Sequence, residues 1–72
     1  MTKLFIDVVG SERRHLDFSG RLFLRAEEAA ELARLISLDL SVSEDSPWVG
    51  SAVQVKDEVG RCLFTCPVRQ MQ

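Results

Sequence analysis

The chain has 72 residues and a mass of 8.1 kDa, is 46% hydrophobic and 28% charged, and has a mean hydropathy of +0.02. This balance excludes a disordered chain, a collagen-like chain and a disulfide scaffold, and no apolar run approaches the roughly 20 residues that span a bilayer. One His, two Cys and no Tyr leave little material for catalysis, and a net charge of −2 argues against general nucleic-acid binding.

A single domain of this mass exposes roughly 4,500 Å² when folded and about 11,700 Å² when extended, so its core is thin and gains from self-association. The charge is unevenly spread. Residues 1–25 carry +2, with Arg13, Arg14, Arg21 and Arg25 as a candidate basic patch, residues 26–58 carry −6 and residues 59–72 carry +2. Met1-Thr2-Lys3 runs into a strand-like segment with no signal-peptide pattern, which points to the cytoplasm.

Leu4, Ile6 and Val8 alternate with Phe5, Asp7 and Val9, the spacing of a first strand. Gly10-Ser11-Glu12-Arg13 supplies turn chemistry, and His15-Leu16-Asp17-Phe18 reads as a second strand with Leu16 and Phe18 facing the core. Two registers are open for this pair. If Ile6 faces Leu16, Asp7 meets His15; if Val8 faces Leu16, Asp7 opposes Asp17. Charge complementarity favours the first. After Ser19-Gly20, residues 21–24 form either a short third strand or an apolar lead-in to a helix.

Residues 25–40 contain no Gly or Pro and are rich in Ala, Leu, Glu and Arg, which predicts a helix. Glu27 and Glu28 suit its first turn, although Phe23-Leu24-Arg25 offers no N-cap side chain. Ala26, Ala29, Leu32, Ala33, Ile36 and Leu40 make one apolar stripe. Leu35 and Leu38 fall outside it, and two such leucines within one turn predict a second buried surface.

Residues 41–47 read as a polar connection. Residues 51–56 and 61–66 then form a hairpin around Asp57-Glu58-Val59-Gly60. With those four residues as the loop, Lys56 faces Arg61, Val55 faces Cys62, Val53 faces Phe64 and Ser51 faces Cys66. Pro67 is expected to end the pairing, leaving 67–72 as a frayed tail. The predicted architecture is α+β, one helix on a four- or five-stranded, mainly antiparallel sheet in the order ββ(β)αββ.

Several of these segments resemble a family of short bacterial proteins without assigned activity, frequent in rhizobia and related alphaproteobacteria. They are Leu4-Phe5-Ile6-Asp7-Val8, the Asp17 to Gly20 turn, Glu28-Ala29-Ala30 and Val55-Lys56-Asp57-Glu58-Val59-Gly60-Arg61-Cys62-Leu63 with Pro67 beyond. The resemblance implies this fold and a bacterial cytoplasmic origin, and it implies no catalytic residue. Leu24-Arg25 departs from it, standing where the family has an acidic cap. A weaker similarity is to antitoxins of the HicB type, which also place a hairpin before a Glu-Ala-Ala-like helix.

Cys62 and Cys66 would both face inward on their strand as small hydrophobes. Four strand residues advance about 13 Å, beyond the ~4–7 Å that a disulfide spans between Cα atoms. With one distant His they also fall short of a zinc site, so neither metal nor cofactor is expected. The glycines are isolated, which offers no phosphate cradle.

The residues left over are Phe5, Val9, Leu35, Leu38, Trp48 and Leu63, a candidate interaction surface. The leading expectation is a non-catalytic domain that binds a protein partner or a second copy of itself. The alternative is an antitoxin-like or nucleic-acid-linked regulator using Arg13, Arg14, Arg21 and Arg25.

Overall fold

The computed structural model describes residues 1–42 and 46–69. Its elements are β1 (Thr2–Val9), β2 (Arg14–His15), β3 (Arg21–Phe23), α1 (Ala26–Val42), β4 (Ala52–Lys56) and β5 (Cys62–Pro67). Every strand pairing is antiparallel. β1 and β4 lie at the centre, β5 forms one edge, and β2 and β3 share the opposite flank of β1. One helix covers one face, so the chain adopts the α+β architecture its periodicity implies.

Alternation sends Leu4 and Val8 of β1 and Val53 and Val55 of β4 to the helix side, where they are buried with Phe23 and Val68. α1 meets them along Ala29, Ala33, Ser37 and Ser41, all buried and spaced four apart. This ridge differs from the predicted stripe. Ala26 is exposed, Leu32, Ile36 and Leu40 are half-buried, and two serines take the closest positions. Small side chains let the helix backbone approach the sheet. The serines tolerate burial because Ser37 Oγ donates to the Pro67 carbonyl at 2.7 Å and Ser41 Oγ to the Ser37 carbonyl at 2.7 Å. At the other end, Glu28 Oε1 accepts the Arg25 amide at 2.9 Å, half of a capping box that replaces the missing N-cap side chain.

The β4–β5 hairpin forms with a register two residues from the expected one. Val55 faces Phe64 and Val53 faces Cys66, with a bulge at Val55/Lys56. The loop is longer than four residues because Asp57 organises it. Its amide donates to the Arg61 carbonyl at 3.0 Å, and its Oδ1 accepts the Arg61 and Val59 amides at 2.8 and 3.1 Å. The Arg61 amide outweighs desolvation and, with the Val59 amide and the Arg61 guanidinium, holds the Asp57 carboxyl below its ordinary range. A slip of two preserves the facing of Val53, Val55, Phe64 and Cys66. The bulge does not preserve Cys62. It sits opposite Lys56, exposed, with Sγ 3.2 Å from Thr65 Oγ1, so the two cysteines do not both face inward.

The expected frayed tail is also corrected. Pro67 pairs with Ala52, and Val68 is 2% exposed, its amide donating to the Ser51 carbonyl at 2.8 Å. Since Val68 bonds toward β4, the nitrogen of Pro67 points to the open edge, where a missing N–H costs no ladder bond. Residues 70–72 of that tail lie outside the described residues, as do 43–45 of the polar connection. Val68→Ala is expected to destabilise the fold by about 2 kcal/mol in denaturant unfolding, whereas Val59→Ala at the exposed hairpin tip is expected to change it by less than about 0.5 kcal/mol.

Candidate functional site

The site begins with an interruption in the sheet edge. Val8 pairs with His15, and Leu4 pairs with Arg21, so Phe5, Ile6 and Asp7 face the five residues from Leu16 to Gly20. Those five cannot lie flat against three, and the chain leaves the ladder there. The N–H of Ile6 therefore has no strand carbonyl opposite it. Asp17 supplies the substitute: Oδ2 accepts the Ile6 amide at 3.3 Å, and Oδ1 accepts the Gly20 amide at 3.0 Å. In return the Asp17 amide donates to Asp7 Oδ1 at 2.9 Å. Gly20 turns the chain back with φ +71, and a Cβ there would lie 2.8 Å from the Phe5 ring.

This pairing replaces both predicted registers. Neither His15 nor the Asp17 carboxylate faces Asp7. The structure slips by one residue from each alternative, which exchanges the faces of β2. His15 comes to the helix side beside Val8. Leu16 and Phe18, expected in the core, are exposed, Phe18 at 87%. Asp7 is 6% exposed on the far side and is held by Lys56 Nζ, 3.4 Å from Oδ2. Partial burial opposes ionisation of Asp17. The Gly20, Ile6 and Ser19 amides and the Ser19 hydroxyl outweigh that effect, and the carboxyl titrates below its ordinary 3.8.

Between this excursion and α1 lies a half-open cleft of about 700 Å³. Ile6 and Val8 form its floor, Leu32, Ile36 and Leu40 one wall, and Trp48 an end. Leu16 and Phe18 stand on the opposite lip, with His15, Asp17, Ser19 and Arg21 as the polar rim. The cleft exists because the small-residue ridge seats α1 mainly over β4 and β5. That leaves the helix side of β1 only partly covered around Ile6, which is half-buried between the buried Leu4 and Val8. It is apolar enough to hold a hydrophobic side chain, and its volume falls within the range of ligand sites.

The predicted surface residues are distributed over four places. Phe5 and Val9 are half-buried on the sheet face opposite α1. Leu35 and Leu38 are 58% and 53% exposed on the helix, and Leu38 borders a shallow groove against Cys66 and Pro67 of β5. Leu63 is exposed beside the bulge. Trp48 is half-buried against the core, with the Arg13 guanidinium 5.9 Å from its ring centroid. The four arginines are exposed but spread out: Arg14 faces Val9 and Arg21 faces Leu4, about 17 Å apart along β1. The cleft is not legible in the sequence, because the residues of its lip alternate like a strand. The one signal for it was the Asp17-x-x-Gly20 spacing, which suits a carboxylate closing a turn.

No family model matches the chain, and neither the curated proteins nor the solved structures yield a match. Among the described residues no helix is long and apolar enough to cross a membrane, and no group of three or more side chains is placed to hold a metal ion.

Asp17→Ala is expected to lower stability by about 2 kcal/mol at neutral pH, because two backbone donors lose a charged acceptor. Since the folded carboxyl titrates below 3.8, this contribution is complete above that value and disappears as pH falls through the folded one. Denaturant unfolding of wild type and variant from neutral to acidic pH should show the two curves converging in acid.

Proposed function

We propose that this protein is a small, non-catalytic interaction domain that associates with a second copy of itself. The observation that carries this reading is its surface. Phe18, Leu22, Leu24, Leu35, Leu38 and Val42 are all more than half exposed. Side chains of this kind are ordinary singly and point to association when several occur on so small a domain.

The nucleic-acid reading has less support. Arg13, Arg14, Arg21 and Arg25 share their edge of the sheet with Glu12 and Asp17, and Arg13 is engaged with Trp48. The resemblance to short rhizobial-type proteins is consistent with a fold that carries no catalytic residues, and it assigns no role to any position.

Sedimentation equilibrium from about 1 µM to about 500 µM is expected to show a concentration-dependent dimer. A monomer mass across the whole range contradicts this reading.

A further inference from the structure

We infer that the second copy docks by exchanging Phe18: the ring on the lip of one copy enters the apolar cleft of the other, and the reverse. This rests on the self-association proposed above and names where it occurs.

Three observations support it. The first is that knob and hole lie side by side. Phe18 is 87% exposed, the most exposed aromatic side chain among the described residues, at the margin of a cleft of about 700 Å³. A two-fold interface requires one patch that complements itself, and an apolar ring next to an apolar cavity satisfies that requirement twice.

The second is that the backbone beside the ring is already ordered. Asp17 is fixed by its amide to Asp7 and by its carboxylate to Ile6 and Gly20. The excursion that carries Phe18 therefore needs little reordering before a second copy docks on it.

The third is charge. The rim carries one cation, Arg21, and one anion, Asp17, both within the cleft lining. Two identical rims brought together can set each cation against the other copy's anion, without net repulsion. The rival apolar strip on α1, Leu35 and Leu38, has a smaller groove beside it, at about 450 Å³, whose charged lining residues, Arg34 and Arg69, are both cations.

Phe18 is exposed, so Phe18→Ala and Phe18→Glu should fold as the wild type does, which circular dichroism and unfolding curves will verify. Each substitution is expected to raise the dimer dissociation constant by at least about 100-fold, since both copies lose a buried ring. Leu38→Glu is expected to leave it within about threefold. In a mixture of labelled and unlabelled wild-type chains, isotope-filtered NMR should show contacts from the Phe18 ring to the methyl groups of Leu32, Ile36 and Leu40 across the interface. A wild-type dimer that persists in Phe18→Glu, or whose intermolecular contacts run to Leu35 and Leu38, overturns the exchange while leaving self-association standing. A wild-type chain that stays monomeric overturns both.

Discussion

One carboxylate reconciles two strand segments that do not fit together. β2 and β3 both pair with β1, but five residues separate them where β1 has three. A main-chain ladder cannot absorb that difference, and an unpaired N–H at Ile6 would weaken a central strand of a thin sheet. Asp17 replaces the absent carbonyl and ties the far end of the excursion at Gly20. The surplus residues are thereby turned into a defined protrusion. Bulges of this kind re-aim side chains near functional surfaces, and here Leu16 and Phe18 are the ones re-aimed.

The cleft follows from this edge together with the helix. A sheet of four to five strands is wider than one helix can cover. Ala29, Ala33, Ser37 and Ser41 draw α1 close over β4 and β5, and closeness there leaves a gap over β1. Larger residues on the ridge would have lifted the helix and made it bridge more of the sheet at the expense of packing. The outer face has a different solution. Asp7 and Lys56 form an ion pair across β1 and β4, which keeps that face mixed in polarity and makes it a poorer target for association than the cleft.

Much of the architecture was legible in the sequence. The helix, the closing hairpin and the first strand declare themselves by periodicity and by Gly and Pro at their ends, because those signals are local. The departures have a different cause: each depends on a hydrogen bond or a bulge that alternation does not encode. His15-Leu16-Asp17-Phe18 alternates like a strand, yet Asp17 spends its carboxylate on the backbone of β1, which no local pattern shows. Ser37 and Ser41 read as polar and fall outside the predicted stripe; Ser37 is satisfied by the distant Pro67 carbonyl and Ser41 by the carbonyl one helical turn back. Cys62 lost its inward facing to a bulge set by Asp57. Val68 reads as tail only if Pro67 is a stop, and on an edge strand it is not one. Leu35 and Leu38 lie outside the helix's buried side, as their spacing indicates, and both are exposed where the spacing also predicts a second buried surface. Phe18, the residue that matters most to the proposed interface, was hidden by the strand assignment.

The claim on which the account rests is that the Asp17 side chain stands in for a strand at Ile6. Amide hydrogen exchange on wild type and Asp17→Ala tests it directly. The account requires the Ile6 and Gly20 amides to be protected in the wild type and to exchange faster in the variant, while Val53 and Val55 at the sheet centre keep their protection. Rapid exchange at Ile6 in the wild type, or equal protection in both proteins, would contradict it.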